Sequence, residues 1–350
     1  MKNSLKSNSG AVAGRFPLRI PIKRSIVVLI VAWAGGCASL GGSPKGPPLQ
    51  RNEYVRLLMG VRMRIVAYAP DEATARAAAA AAFERVAQLE DIMSDYQTDS
   101  ELMRLSRNAG NGPQKVSPEL FEVLAYGQMV SDASDGAFDV TVGPPVGLWR
   151  QARKTGVLPA ESALADARNK VGWRFMQLDA RDRTVDLTVP GMQLDLGGIA
   201  KGYAGDEAIR VLREHGVNSA LFEAGGDIVV SDAPPGKRGW EIELPDGRKK
   251  RLANAAISTS GDTVQFVEVN GVRYSHVIDP RTGIGLTEHY VATVIALRGI
   301  STDSLSTAAT VLGKRAGESL IRRFGANGTV RKLTPKTAAT SRSTTSGRNP

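Results

Sequence analysis

Strand patterns and helix patterns alternate irregularly along this chain, and this irregular order narrows the folds available to it. Residues 56–69, RLLMGVRMRIVAYA, alternate apolar and polar side chains as a strand does. Residues 71–93 instead place Ala79, Phe83, Val86 and Leu89 on one face of a helix. Because no regular strand–helix–strand rhythm follows, we expect an α+β fold with mixed sheets and packed helices.

Further elements are predicted from local signals. The elements that bear on function are a helix that starts at Ser117 and Pro118, a short strand over FDVTV (138–142), a helix over 161–170, a strand from Met192 that passes through glycines into a helix ending at Gly216, and a last helix that starts near Thr302 or Asp303.

The net charge of +10 comes from the two ends of the chain. Residues 1–36 carry six Lys and Arg without an acid, and residues 329–350 carry five without an acid, so residues 37–328 have a net charge of −1. A protein that binds phosphate backbones concentrates basic residues on its folded surface. The charge therefore argues against nucleic acid as a partner.

The first 36 residues have the pattern of a secretory signal. Basic residues precede the apolar stretch SIVVLIVAWAGG (25–36), which is shorter than the ~20 residues of a membrane-spanning helix. The stretch ends in Ala34-Gly35-Gly36-Cys37, which resembles a bacterial lipobox, and this implies lipidation at Cys37. A simple secreted protein is the alternative.

The predicted domain organisation follows from these patterns. We expect a lipoprotein signal peptide at 1–36, a Gly-, Ser- and Pro-rich tether at 37–52, one functional domain at 53–328 and a disordered basic tail at 329–350. One cysteine and three histidines exclude a disulfide framework and argue against cysteine- or histidine-rich metal sites.

The most informative segment is LDLGGIAKG (194–202), which is predicted to run through two glycines into a helix. Glycines let a ligand approach the backbone, and a helix N-terminus favours an anion such as phosphate. Lys201 would add a positive charge in the first turn. A tight connection with a surface lysine explains the same residues equally well.

A second group, TDSLST (302–307), places Asp303 and Thr307 four residues apart on one helix face. A carboxylate and a hydroxyl are hard oxygen ligands of the kind that Mg²⁺ prefers. Asp303 taken alone also fits the role of a helix cap.

Three further segments carry polar and aromatic groups with open alternatives. His276, in RYSHVIDPRTG (273–283), fits a general base or a structural histidine beside a turn. Asp135 and Asp139 flank Phe138, which fits a ring platform or a core residue, and Tyr96 presents the same two alternatives.

Taken in order, these segments resemble the ApbE family, the flavin transferases that move FMN from FAD onto a threonine or serine of a partner protein. The resemblance runs from about Leu58 to Phe324. Its motifs are MG (59–60), SDYQTDSEL (94–102), SDGAFDVTVGP (134–144), LDLGGIAKGYA (194–204), EAGGDI (223–228), ISTSGD (257–262), YSHVIDPRTG (274–283) and TDSLST (302–307).

The resemblance implies an ApbE-like flavin transferase fold and a role for particular residues. Mg²⁺ would be held by the carbonyl of Gly198 with Asp303 and Thr307, and His276 would lie near the pyrophosphate and activate the acceptor hydroxyl, so His276 and Asp303 are the implied catalytic residues. Contacts to FAD are implied for Met59, Tyr96, Ala137, Phe138, Asp139, Asp195, Lys201 and Val277.

The implied activity is Mg²⁺-dependent transfer of FMN from FAD to an acceptor flavoprotein, with release of AMP. Two alternatives stay open, an FAD pyrophosphatase that uses water as the acceptor and a flavin-binding lipoprotein without catalysis. The family also implies a lipid anchor on the periplasmic side of a bacterial membrane, more often the inner one.

Overall fold

A computed structural model describes residues 47–261, 266–269 and 271–333. Cys37, the predicted signal peptide, most of the predicted tether and residues 334–350 lie outside this part of the chain. The helices are α1 (Glu72–Met93), α2 (Glu101–Arg107), α3 (Pro118–Ala133), α4 (Gly143–Thr155), α5 (Glu161–Arg168), α6 (Ala200–Glu214) and α7 (Gly299–Arg323).

Five sheets accompany these helices in the described residues. The strands are β1 (Gln50–Leu58), β2 (Val61–Ala69), β3 (Gln114–Lys115), β4 (Met176–Asp179), β5 (Thr184–Leu187), β6 (Ser219–Ala224), β7 (Asp227–Val230), β8 (Trp240–Glu243), β9 (Lys249–Leu252), β10 (Ala255–Gly261), β11 (Phe266–Val269), β12 (Val272–Ser275), β13 (Ile278–Asp279), β14 (Ile284–Gly285), β15 (Tyr290–Ala296) and β16 (Asn327–Lys332).

A seven-stranded antiparallel sheet organises the molecule, with strand order β1-β2-β6-β7-β10-β15-β16. Helices α1, α6 and α7 pack on one of its faces, where β2 contributes Met63, Ile65 and Ala67, all fully buried. The β8–β9 hairpin covers the other face, where Trp240 and its neighbours pack against the alternate β2 residue Val66. The predicted α+β class is confirmed.

Local signals explain the helices that were predicted correctly. The Asp71 side chain accepts the N–H of Thr74 and so caps α1, whose buried alanines let the helix lie close to the sheet and to α6. The Ser117 side chain caps α3 in the same way by accepting the N–H of Leu120. The helix predicted over 161–170 is α5.

Two predicted strands do not form. The run 138–142 is a turn because the Asp139 carboxylate accepts the N–H of Thr141 and of Trp173. The segment from Met192 to Leu196 is also irregular. It pairs with the run 138–142 through an isolated β-bridge between Gln193 and Val142. The polar side chains take backbone groups that a strand would need for its ladder.

The boundaries of the folded domain also differ from the prediction. Strand β1 begins at Gln50, inside the predicted tether, and β16 runs to Lys332, so residues 329–332 are an edge strand paired with β15 and not part of a disordered tail. Within the ranges that the structure describes, no helix combines the length and the apolar character needed to cross a membrane.

Helix α7 begins at Gly299, three or four residues before the start predicted near Thr302 or Asp303, and is interrupted at Gly313. Gly313 has φ 72° and ψ −174°, a backbone conformation that glycine adopts readily, and it divides α7 into two helical segments. The first segment carries Asp303 and Thr307, one turn apart, as predicted. The cause of the early start lies outside α7, on the helix that crosses it.

Candidate active site

Helices α6 and α7 cross at two glycines, and this crossing builds one end of the candidate site. A Cβ atom placed on Gly202 would lie 2.1 Å from the carbonyl oxygen of Gly299, and one placed on Gly299 would lie 2.2 Å from that of Gly202. The two backbones therefore touch, which only glycine permits at both positions. The contact brings the first turns of the two helices together.

The two helices exchange carboxylates at this crossing. Asp303 of α7 accepts the N–H of Gly202 in the first turn of α6 at 3.0 Å. Asp206 of α6 accepts the N–H groups of Gly299 and Ile300 in the first turn of α7, at 2.5 and 3.1 Å. Each helix thus satisfies orphan donors of the other, and this explains why α7 starts before its own sequence signals.

This arrangement corrects two predictions. Asp303 does not cap its own helix, since it lies in the second turn of α7 and its carboxylate bonds to α6. The N-terminus of α6 is not an open phosphate cradle either, because Gly202 N–H is taken by Asp303 and Ala200 N–H bonds to the carbonyl of Leu196. The N–H of Gly202 is therefore bonded to a protein carboxylate.

Lys201 is the cation at the centre of this end of the site. Its Nζ lies 3.0 Å from the carbonyl oxygen of Gly197, 3.1 Å from Asp227 Oδ2 and 3.5 Å from Asp303 Oδ2. Burial lowers the pKa of Lys201, but the two carboxylates outweigh burial and raise it, so the amine stays protonated. A fixed positive charge is therefore present among otherwise anionic side chains.

Asp303 is 4% exposed, and its environment favours the neutral acid more than water does. Burial is the largest cause, the charge of Asp227 adds to it, and Lys201 opposes both, so that the pKa of Asp303 rises to about 7. A second cation would therefore stabilise the ionised form of this buried carboxylate more than it would stabilise an exposed one.

The donor set around Asp303 fits a hard divalent cation. A Cβ atom placed on Gly198 would lie 3.0 Å from Thr307 Oγ1, which puts the glycine backbone against the Thr307 hydroxyl. A carboxylate and a hydroxyl are thus available one turn apart on α7, with the Gly198 backbone beside the hydroxyl, and Mg²⁺ keeps part of its water and substrate shell in such sites. The described residues contain no cluster of three or more His, Cys, Asp or Glu that would form an all-side-chain cage.

Asp195 stands at the other end of the site, on the segment that leads into α6. Its Oδ1 accepts the N–H of Gly197 at 2.8 Å, and its Oδ2 accepts from Arg150 of α4 at 2.7 Å. Gly197 in turn bonds to Lys201, so Asp195 and Lys201 are connected through one residue. Tyr96 is 77% exposed and its ring lies over Arg150, which makes it a surface platform and not a buried anchor.

The SDGAFD turn (134–139) packs against the glycine segment of the site through Phe138. Phe138 is 5% exposed and belongs to the main core, and one ring carbon would lie 3.3 Å from a Cβ on Gly198. Phe138 therefore fills the core under the glycine loop. Ala137 is also buried, and burial raises the pKa of Asp139 although Thr141 and Trp173 donate hydrogen bonds to its carboxylate.

His276 and Val277 lie in the bend between β12 and β13, and Ile278 separates them from the DPRTG turn (279–283). His276 is half-buried, and Val277 is buried with its N–H bonded to the Ser275 hydroxyl. The indole N–H of Trp149 donates to the carbonyl of Gly283 at 2.8 Å and fixes the turn.

Met59 lies in the β1–β2 turn with φ 48° and packs against the core. The neighbouring Val61 side chain lies 3.3 Å from a Cβ placed on Gly225, in the turn between β6 and β7. That turn leads to Asp227, the partner of Lys201. The turn that carries Met59 and the turn before Asp227 therefore lie at the same end of the sheet.

The structure adds four charged residues that the sequence did not single out as site residues. They are Asp95, Arg150, Asp206 and Asp227. Asp95 and Asp227 lie inside the motifs SDYQTDSEL and EAGGDI, so a search of each motif for carboxylates would have found them. Arg150 and Asp206 have no local signal, because their partners lie 45 and 93 residues away.

Comparison with known proteins places this arrangement among flavin transferases. Residues 59–330 match the ApbE family. The FAD:protein FMN transferase of Treponema pallidum (strain Nichols) is 32% identical over 322 residues, which cover 85% of this chain and 87% of that protein. The FAD:protein FMN transferase of Klebsiella pneumoniae (strain 342) is 28% identical over 312 residues, covering 84% and 89%.

Solved structures show the same fold. The flavin transferase ApbE from Vibrio cholerae superimposes with a TM-score of 0.72 at 26% identity, covering 84% of this chain and 99% of that one. The apo flavinyl transferase ApbE from Pseudomonas stutzeri superimposes with a TM-score of 0.71 at 27% identity, covering 82% and 96%.

Proposed function

The chain belongs to the ApbE family, and we propose that it is an FAD:protein FMN transferase. The acceptor is a protein hydroxyl, from threonine or serine. Its oxygen attacks the phosphorus atom on the FMN side of the FAD pyrophosphate, a phosphoester bond forms, and the bond to the bridging oxygen breaks. AMP leaves, and the hydroxyl proton passes to a base.

One observation carries this proposal: Asp303 and Thr307 lie one turn apart on α7, with Gly198 against Thr307 and Lys201 beside Asp303. Phosphoryl transfer needs little covalent help from the protein. It depends on holding the phosphates and offsetting their charge. The residue types gathered at the α6–α7 crossing supply both functions.

We propose that Asp303, Thr307 and the carbonyl of Gly198 hold Mg²⁺. The bound ion would offset negative charge on the pyrophosphate oxygens. The chain's own contribution is to keep these oxygen donors in place, which the hydrogen bond from Gly202 N–H to Asp303 and the contact of Gly198 with Thr307 both do.

Lys201 holds a second positive charge at the same place. Asp227 and the carbonyl of Gly197 fix its ammonium group, so the charge is positioned before the substrate arrives. A preorganised charge costs no rearrangement during the reaction. His276 is the proposed base, since it is half-buried in the bend between β12 and β13 and an imidazole is the commonest general base in proteins.

One assay separates this function from its alternatives. The purified protein is incubated with FAD and Mg²⁺, with and without a known acceptor of a related FMN transferase, and AMP release and covalent flavin fluorescence on a denaturing gel are measured. AMP that appears only with the acceptor, together with covalent flavin, supports transfer. AMP without the acceptor indicates a pyrophosphatase, and FAD binding with neither product indicates a flavin carrier.

Variants of α7 test the metal site directly. Asp303→Asn and Thr307→Val should each weaken Mg²⁺ binding at least about tenfold, the effect typical for loss of a group that supports a metal site. Calorimetry without FAD measures the Mg²⁺ affinity. Thr307→Ser is the matched control, because it keeps the hydroxyl. Unchanged affinity in both Asp303→Asn and Thr307→Val would refute the assignment.

We also propose that the protein is anchored by a lipid on Cys37 and works on a membrane or periplasmic acceptor. The support is the basic and apolar pattern of residues 1–36 and the resemblance of residues 34–37 to a lipobox. Cys37→Ala should move the protein from the membrane fraction to the soluble fraction of its host. A protein that stays in the membrane fraction after this change is not anchored in this way.

A further inference from the structure

Arg150 joins three segments that are far apart in the sequence. It lies on α4, while Asp95 and Tyr96 lie in the segment after α1, and Asp195 lies in the segment before α6. Its guanidinium is paired with Asp95 through one nitrogen and with Asp195 Oδ2 at 2.7 Å through the other. Its central carbon lies 4.4 Å from the centroid of the Tyr96 ring.

These contacts use two properties of a guanidinium group, its separate N–H donors and its flat face. Two nitrogen atoms point to two different carboxylates, and the flat face stacks on an aromatic ring, which an ammonium group cannot do at the same time. The side chains of Arg150, Asp95 and Asp195 are only 25%, 17% and 10% exposed, so solvent screens these contacts weakly. Such a cluster is held in one geometry.

The cluster fixes two groups that would otherwise be free to turn. Asp195 is held at both oxygens, by Arg150 and by the N–H of Gly197, and keeps one further acceptor position on each oxygen. Tyr96 is 77% exposed, and its contact with Arg150 leaves the rest of the ring open to solvent. An oriented aromatic face beside an oriented carboxylate suits a flat heterocycle with a polar edge or a ribose hydroxyl.

We infer that Arg150 is a positioning residue for FAD, which orients the Tyr96 ring and the Asp195 carboxylate for the nucleotide without being required at the reacting phosphates. The inference rests on the proposed function, because that function makes FAD the substrate whose flat rings would contact Tyr96. Arg150 contacts Asp195, whereas the two side chains proposed to hold Mg²⁺, Asp303 and Thr307, lie on α7. Loss of Arg150 should therefore affect FAD binding and leave metal binding intact.

The test uses Arg150→Lys, which keeps the charge but loses the fork and the stacking face. The dissociation constant for FAD, measured by fluorescence titration of the full-length protein, should rise about tenfold, because Asp195 and Tyr96 lose the group that orients them. Asp95→Asn frees one side of Arg150 and should give a smaller rise in the same direction. Arg181→Lys, in the exposed turn between β4 and β5, is the matched control.

Three further readouts separate positioning from simple stability. Mg²⁺ affinity without FAD should be unchanged in Arg150→Lys, the KM for FAD should rise, and kcat at saturating FAD should stay within about twofold. Wild-type FAD affinity in Arg150→Lys, or a parallel loss of Mg²⁺ affinity and kcat, would overturn the inference. Failure of the wild-type protein to bind FAD would instead overturn the proposed function.

Discussion

Asp206→Asn tests whether burial or helix capping has the larger effect on the pKa of Asp206, the carboxyl group that supports the start of α7. Asp206 accepts two N–H groups at the start of α7, and the Arg298 guanidinium lies 3.5 Å away. These contacts favour the ionised form. Burial nevertheless outweighs them and raises the pKa of Asp206 from 3.8 to about 6.

The sign of the pH effect follows from the direction of this shift. A carboxyl group whose pKa is higher in the folded protein than in the unfolded chain stabilises the fold when it is protonated. That contribution is complete below about pH 4 and is lost as the pH rises through about 6. A pKa difference of about two units corresponds to about 3 kcal/mol in the free energy of unfolding.

The amide that replaces the carboxyl group in Asp206→Asn carries no charge, so the variant should lack this pH dependence. The free energy of unfolding of the wild type minus that of Asp206→Asn should fall by about 2 kcal/mol between pH 4 and pH 7. Urea unfolding at several pH values, followed by tryptophan fluorescence, measures the difference. Other groups that titrate in both proteins cancel.

The opposite hypothesis makes an opposite prediction. If capping dominated, the pKa of Asp206 would be lowered and the wild type would gain stability over the variant as the pH rises. A constant or rising difference would thus refute the dominance of burial. Asp91→Asn, at an exposed position of α1, serves as the control for nonspecific charge effects.

Two further changes test the packing around the site. Gly202→Ala should lower the free energy of unfolding by at least about 1–3 kcal/mol, since its methyl group would lie 2.1 Å from the carbonyl oxygen of Gly299. The control Gly147→Ala in α4 meets open space and should be neutral or stabilising by up to about 1 kcal/mol. Thermal unfolding compares the two variants, and equal effects would contradict the close crossing of α6 and α7. Trp149→Phe should cost about 1–3 kcal/mol in urea unfolding because it leaves the carbonyl of Gly283 without its donor, and a cost below about 0.5 kcal/mol would show that the hydrogen bond is dispensable.

Sequence reasoning succeeded where the cause of a structure is local. The caps at Asp71 and Ser117 bond to residues three positions away, so the starts of α1 and α3 were predictable. The spacing of Asp303 and Thr307 is likewise a property of one helix, and the structure places both side chains one turn apart. These signals need no knowledge of the rest of the fold.

Prediction failed where a side chain from a distant segment decides the local structure. The early start of α7 depends on Asp206, 93 residues before Gly299. The run 138–142 has the composition of a strand, but Asp139 turns the chain back by binding Trp173. Arg150 joins three segments whose proximity is set by the whole fold, and no local pattern marks it.

The exchange of carboxylates between α6 and α7 also has a consequence for the order in which the site assembles. The bond between Gly202 and Asp303 closes a loop of 101 residues, and closing such a loop costs more chain entropy than forming a helix or hairpin does. Sheet strands β6, β7, β10 and β15 lie within that loop and bring its ends together. A ribosome-bound chain that ends before α7 would therefore contain most of the sheet but no site, and nucleotide binding would report completion of the fold.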